Sequence, residues 1–117
     1  MSMAGQSVLE MKFSKVYPLL IQKAERKGRT RTEVLEITEW LTGYTADQLE
    51  DMLGSDSSYG DFLSGSPAYN PRAEYITGTV CGVRVETIED PLMKRVRQLD
   101  KLIDELAKGK PMEKIRR

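Results

Sequence analysis

The chain has 117 residues, 39% hydrophobic and 31% charged, and its 18 basic residues balance its 18 acidic ones. This length predicts one domain, and the neutral balance gives no overall field that would favour nucleic acid or a membrane. The absence of histidine and the single cysteine exclude an intramolecular disulfide and the usual histidine or cysteine metal sites.

The first ten residues are small and polar, and apolar positions become dense only after them. We therefore expect a flexible N-terminal segment over 1–10 and a single helical domain over 11–117. Pro18 suits the first turn of a helix, where its missing N–H costs least. The sequence predicts that this helix stops at Gly28 after a basic last turn that complements the helix dipole. No apolar run could span a bilayer and no signal-peptide pattern is visible, so we expect a cytoplasmic protein.

The next stretch has the clearest helix punctuation. Thr30 and Glu33 have the spacing of a capping box, and Gly43 stands where a left-handed residue would end the helix. Apolar residues recur between them at helical spacing. The pattern predicts a helix over about 31–42.

A second capping box, Thr45 with Gln48, predicts another helix after a very short corner. Helix–turn–helix is also the outline of a DNA-reading motif. Here the second helix carries Asp47, Glu50 and Asp51 and no basic residue, so phosphates would repel it. We expect no recognition role for this pair. Between residues 54 and 71 we expect a loop with one short helical turn, held on the core by these side chains: Tyr59, Phe62, Leu63 and Tyr69.

The segment 70–88 is ambiguous. Apolar residues at helical spacing favour a helix, in which Gly78 and Gly82 would share a face open to close approach. Many of the same residues are β-branched and favour strands, with a hairpin corner at Cys81 and Gly82. We favour the helix and therefore an all-α class, a compact small helical domain of about five helices. The alternative is α+β, with a hairpin at 75–88.

The last long element begins at Asp90–Pro91 and ends before Gly109 and Pro111. Its apolar positions recur at spacings of three and four and form a seam: Leu92, Val96, Leu99, Ile103 and Leu106. Such a seam is typical of a core helix in a bundle and also of a self-associating helix. Five positions leave both interpretations open.

Several blocks of sequence stand out together over about residues 11–117. They are Val16-Tyr17-Pro18, Lys23-Ala24-Glu25, Lys27-Gly28-Arg29-Thr30, Trp40-Leu41-Thr42-Gly43-Tyr44, Cys81-Gly82-Val83-Arg84-Val85-Glu86, Ile88-Glu89-Asp90-Pro91-Leu92-Met93, Leu99-Asp100-Lys101-Leu102, Asp104-Glu105-Leu106-Ala107-Lys108-Gly109-Lys110 and Met112-Glu113-Lys114-Ile115. In these blocks the chain resembles a bacterial family known as domain of unknown function 2200. The resemblance implies no activity, cofactor or catalytic residue.

Candidate chemistry is sparse. Cys81 lacks a histidine partner and lies in an apolar stretch, so we expect a buried and poorly reactive thiol. Glu86, Glu89 and Asp90 cluster beside Arg84, and we favour helix capping and a partly buried Arg84–Glu86 ion pair over acid–base work. We assign no catalytic residue, metal or cofactor.

Two functional hypotheses remain, and we favour both over an enzyme. The first is a non-catalytic protein-interaction module, or one that self-associates through the seam or the Gly78/Gly82 face. The second is sequence-indifferent binding of nucleic acid or another polyanion through the basic segments 23–31 and 108–117. The polyanion contacts would be Lys23, Arg26, Lys27, Arg29, Arg31, Lys110, Lys114, Arg116 and Arg117, with Lys108 beside them.

Overall fold

Helices packed around one continuous apolar core make up most of the protein, in a computed structural model that describes residues 8–117. The α-helices are α1 Phe13–Glu25, α2 Arg31–Thr42, α3 Ala46–Leu53, α4 Tyr59–Ser64, α5 Pro91–Ala107 and α6 Met112–Ile115. Between α4 and α5 lie two 3-10 turns, Pro71–Tyr75 and Val85–Thr87, and a small antiparallel pair, β1 Thr79–Val80 with β2 Val83–Arg84. Residues 8–117 are 65% helical, which confirms the all-α class.

Part of the predicted N-terminal segment 1–10 lies outside the described residues, which begin at residue 8. Residues 8–10 are helical, and Val8 and Leu9 pack against the core as partly buried side chains. The core therefore includes side chains from before the predicted boundary at residue 11.

The first long helix starts earlier than predicted. Pro18 is the sixth residue of α1 and does not lie in the first turn, so that prediction is wrong. Phe13 and Tyr17 are both fully buried, with ring centroids 4.7 Å apart. The Phe13 N–H also donates to the carbonyl of Ser57 at 2.9 Å. Burial of two aromatic rings, worth about 1.5–3 kcal/mol each, outweighs the cost of about 3 kcal/mol for an internal proline.

Both predicted capping boxes are confirmed. The Glu33 N–H donates to Thr30 Oγ1 at 3.1 Å, and the Thr30 N–H donates to Glu33 Oε1 at 2.9 Å. Thr45 and Gln48 repeat the arrangement at 3.1 and 2.9 Å. Gly43 ends α2 with φ of 84°, the left-handed conformation that the sequence predicts. These local signals set the starts of α2 and α3.

The first of these caps makes the stability of the protein vary with pH in the acidic range. The Arg29 guanidinium and the Thr30 N–H both bond the Glu33 carboxylate and lower its pKa from 4.5 to about 2. A carboxyl group whose pKa is lowered by folding stabilises the folded state fully at a pH above its pKa in the unfolded chain. This stabilisation is therefore lost as pH falls from about 4.5 towards 2. We expect a loss of about 1 kcal/mol, since the group is partly exposed.

Urea unfolding of the wild type and of Glu33→Gln between pH 5 and 2.5 would measure this loss. The variant should be less stable at pH 5 and should lose less stability on acidification. Glu36→Gln, on the exposed side of the same helix, is the matched control and should follow the wild type. Parallel pH profiles for wild type and Glu33→Gln would contradict the prediction.

The predicted helical turn between residues 54 and 71 is α4. Ser58 caps it by accepting the Asp61 N–H at 3.0 Å. The side chains of Tyr59, Phe62 and Leu63 are at most 1% exposed, which confirms that this segment is held on the core.

The predicted helix over 70–88 is wrong, and the alternative hairpin is present within 75–88. Cys81 and Gly82 form the two-residue corner with φ of 52° and 76°. Two consecutive positive φ values define a turn that matches the twist of paired strands and that a helix cannot contain. The Gly78/Gly82 helical face therefore does not exist. The hairpin has only two residue pairs, so the all-α class is unaffected.

The predicted burial of Cys81 is also wrong, because the corner projects the side chain away from the core. The thiol is exposed. We expect Cys81 to react with a thiol reagent such as Ellman's at nearly the rate of the unfolded chain, since the exposed side chain is accessible to the reagent. Stopped-flow labelling at pH 8 with and without 6 M guanidinium would measure both rates. A native rate lower by a hundredfold or more would contradict the exposure.

The central helix is α5, which packs against α1, α2 and α4. Its seam lies inside the core, and the exposed fractions are Val96 2%, Leu99 0%, Ile103 0% and Leu106 0%, with Leu92 partly buried. The seam is therefore part of the core of the protein. A self-associating seam would need these residues at the surface. Pro91 occupies the first helical position as predicted, while Asp90 makes no side-chain cap bond within the described part of the chain.

No helix among residues 8–117 is long and apolar enough to cross a membrane.

Candidate functional site

The two predicted basic segments meet in space. Arg29 Nη1 donates to the carbonyls of Leu106 and Lys110, at 3.2 and 3.1 Å. The loop between α1 and α2 is thereby held against the end of α5. Segments 23–31 and 108–117 are neighbours, as a shared polyanion surface would require.

Most of their charge is neutralised within the protein. Six of the nine predicted polyanion contacts have a carboxylate oxygen within 4.0 Å: Lys23 with Asp104, Arg29 with Glu33, Arg31 with Glu50, Lys110 and Arg117 with Glu105, and Arg116 with Glu36. Lys108 pairs with Asp104 as well. Arg26, Lys27 and Lys114 are exposed and have no carboxylate partner among residues 8–117. The shared surface therefore offers about three unpaired cations.

Arg117 belongs to a structural contact that we call the C-terminal clasp. Its Nη2 lies 2.6 Å from Oε2 of the buried Glu105, and its Nε donates to the carbonyl of Tyr75 at 3.3 Å. Arg72 Nη1 in turn donates to the Arg117 carbonyl at 3.3 Å. The clasp joins the end of the chain to the 3-10 turn Pro71–Tyr75.

The acidic group near Arg84 lies at the surface of the protein. Arg84 Nη1 lies 3.0 Å from Glu86 Oε2, which confirms the ion pair, but the two side chains are 64% and 36% exposed, so the expected partial burial is wrong. The Gly78 N–H donates to Glu86 Oε1 at 2.9 Å, and this bond together with the guanidinium lowers the Glu86 pKa. Glu89 and Asp90 are exposed. The part of the chain that the structure describes holds no group of three or more metal-ligating side chains.

The sequence did not predict a groove between the 3-10 turn Pro71–Tyr75 and the first half of α5. It encloses about 350 Å³ and is open to solvent. The residues that line it are Tyr69, Asn70, Pro71, Ala73, Glu74, Pro91, Lys94, Arg95 and Gln98. One wall is the 3-10 turn that carries the clasp, and the other is α5.

Gln98 is the buried polar residue of this groove, with an exposed fraction of 5%. The Tyr69 hydroxyl donates to Gln98 Oε1, and burial raises the Tyr69 pKa, which keeps the phenol protonated as a donor. Gln98 Nε2 donates one N–H to the carbonyl of Ala73 at 3.3 Å. A primary amide has two N–H donors, and the second has no acceptor among residues 8–117. A lining residue of the groove therefore has an amide N–H that no described residue uses.

Two charged residues of the groove are uncommitted. Lys94 on α5 is half-buried, Glu74 on the opposite wall is exposed, and neither has an ion-pair or side-chain hydrogen-bond partner within residues 8–117. Arg95, by contrast, lies over the Tyr69 ring with 4.0 Å to the centroid and donates to the Leu63 carbonyl at 2.7 Å. Lys94 and Glu74 are the charges that a ligand could meet.

The fold and the groove define a small helical domain with a cleft that is open to solvent and, within residues 8–117, no group of three or more metal-ligating side chains. The family model described as "uncharacterized protein conserved in bacteria (DUF2200)" matches residues 7–117. The chain belongs to this family, which confirms the resemblance seen in the sequence.

One solved structure is similar over nearly the whole chain. It is the crystal structure of uncharacterized protein SP1917, with 48% sequence identity and a TM-score of 0.91. The match covers 98% of this chain and 92% of that one. A comparison with curated proteins gave no match.

Proposed function

We propose that this protein acts by binding, as a non-catalytic interaction module that docks a short segment of a partner protein in the groove. The observation that carries the proposal is the half-buried, unpaired Lys94 facing a cleft whose wall is held by the buried Gln98. The aliphatic part of a half-buried lysine lies against the protein while its ammonium reaches water, so Lys94 places an unpaired positive charge at the wall of the groove. A ligand would supply the missing partner.

The shape of the groove favours a peptide segment over an enclosed small molecule. Its volume of about 350 Å³ lies at the lower end of the usual range for ligand pockets. Because it is open to solvent, its ligand can be part of a longer chain that lies outside the groove. A partner other than a second copy is also favoured, since the seam is buried and the exposed large hydrophobic side chains among residues 8–117 are three: Met11, Leu19 and Tyr75.

Nuclear magnetic resonance tests this proposal directly. Isotope-labelled protein is titrated to millimolar concentration with four pools of hexapeptides, which are acidic, basic, apolar and neutral polar. At least one pool should shift the amide signals of residues 69–74 and 91–98 while leaving those of α3 unchanged. If no pool moves the groove signals, the proposal is wrong.

The alternative function is polyanion binding, favoured by the Arg29 contacts that join the two basic segments. With three unpaired cations, Arg26, Lys27 and Lys114, the log–log salt slope on duplex DNA could reach only about −2.7. We expect no binding of a random 20-base-pair duplex by fluorescence anisotropy at about 50 mM salt. Binding that the triple glutamine variant of these residues abolishes, and that Arg31→Gln leaves intact, would establish the alternative.

We also propose that the module works in the cytoplasm. The exposed free thiol of Cys81 supports this location, because reducing compartments preserve such thiols. Fractionation of bacterial cells with a periplasmic marker would test it.

A further inference from the structure

We infer, on the basis of the proposed function, that the docked segment presents an acidic side chain whose carboxylate is bound by Lys94. The polar side chains on the α5 wall of the groove are all hydrogen-bond donors. Lys94, Arg95 and Gln98 follow one another at positions i, i+1 and i+4 of this helix. All three side chains carry N–H groups. Gln98 alone also contains an acceptor atom, Oε1, and this oxygen already accepts the hydrogen bond from the Tyr69 hydroxyl.

The uncommitted donors are the evidence for a carboxylate. The Lys94 ammonium has three N–H groups and no partner among residues 8–117, and the second Gln98 amide N–H has none either. A carboxylate accepts several hydrogen bonds at once, so it can take bonds from the ammonium and the amide together. Hydrogen bonds to a charged group are worth about 1.5–3 kcal/mol, against about 1 for neutral pairs.

The opposite wall limits the number of acidic side chains. Glu74 lies on the 3-10 turn, without a partner in the described part of the chain, and Pro71 beside it has no N–H to offer. A second carboxylate next to Glu74 would be repelled. The groove thus favours one acidic side chain flanked by uncharged residues, and its apolar lining by Pro71, Ala73 and Pro91 suits aliphatic neighbours.

The source of the carboxylate is a side chain within a continuous segment. A chain-terminal carboxylate is usually captured in a concavity of backbone N–H groups. The donors here are side chains, and the groove is open to solvent, so a chain can continue past the bound residue.

The test compares matched pentapeptides, acetylated and amidated at their ends: Gly-Leu-Glu-Leu-Gly, its Gln analogue and its Lys analogue. A fourth peptide is the Gln analogue with a free C-terminal carboxylate. Amide shifts of residues 69–74 and 91–98 are followed to millimolar peptide at low salt. The Glu peptide should bind about tenfold more tightly than the other three, and 0.5 M salt should reduce this advantage.

Variants assign the advantage to the named residues. Lys94→Gln should remove the tenfold preference, whereas Lys15→Gln, an exposed lysine on α1, should leave it unchanged. Glu74→Gln should tighten binding of the Glu peptide about two- to fivefold by removing repulsion. Weaker binding by Glu74→Gln would overturn the inference, because it would show that the ligand presents a positive charge to Glu74.

Failure of the inference differs from failure of the proposed function. If the Gln or Lys peptide shifts the groove signals as strongly as the Glu peptide, the groove binds peptides but the acidic requirement is wrong. If the free C-terminal carboxylate gives the advantage, the side-chain source is wrong. If no peptide in either experiment shifts the groove signals, the inference and the proposed function are both wrong.

Discussion

Leu99→Ala is expected to lower the free energy of unfolding by about 2–5 kcal/mol. Leu99 lies in the middle of α5, is fully buried and belongs to the core that α5 shares with α1 and α2. The truncation removes apolar contacts and leaves a cavity that the close-packed helices cannot fully close. Chemical denaturation at pH 7 would measure the loss, and Leu92→Ala, which removes a partly buried leucine of the same seam, should cost less.

The same variants separate a core helix from an interface. If the seam were a self-association surface, Leu99→Ala would leave monomer stability near the wild-type value and would lower the mass measured by light scattering. We expect the opposite: unchanged mass for the folded fraction and a large drop in stability. A stable variant with reduced mass would contradict the placement of the seam in the core.

Gly43→Ala should be the other severe substitution, at about 2–5 kcal/mol. Gly43 has φ of 84°, which costs any other residue about 1–2 kcal/mol. A Cβ at this position would also lie 2.7 Å from the backbone nitrogen of Ala68. The backbone would have to move, which would weaken the hydrogen bond from the Ala68 N–H to the Thr42 carbonyl at 3.1 Å. Overpacking of this kind adds about 1–3 kcal/mol.

Gly28→Ala is the matched control, because Gly28 has the same φ of 84°. A Cβ there would meet no described atom within 4 Å, so only the backbone strain of about 1–2 kcal/mol applies. The difference between the two variants, measured by urea unfolding, isolates the close approach to Ala68. Equal losses would show that Ala68 moves away without cost.

Local rules explain what could be predicted from sequence. The caps at Thr30 and Thr45 depend on residues three positions apart, and Gly43 ends α2 for a reason contained in its own backbone. The seam of α5 was also visible, because its period is a property of one helix. The burial of that seam in the same chain depended on the other helices and remained open.

The errors and the missed groove have a different cause. Pro18 lies inside α1 because remote aromatic packing determines where the helix starts, and Cys81 is exposed because two residue pairs make a hairpin. Arg29 looked like a polyanion contact, but its acceptors lie 77 and 81 residues away. The groove joins residues 69–74 with residues 91–98, and no periodic or spacing signal links them.

The central position of α5 has a consequence for synthesis on the ribosome. Its partner α1 begins at Phe13, and α5 begins at Pro91, about 80 residues later. At about 5–20 residues per second, several seconds pass between translation of the two helices. During that time the buried faces of α1 and α2 lack their main partner, so the nascent chain presents apolar surface that chaperones recognise. The core that α5 completes can therefore form only after residue 107 has been synthesised, and translation pauses before residue 91 would prolong that exposure.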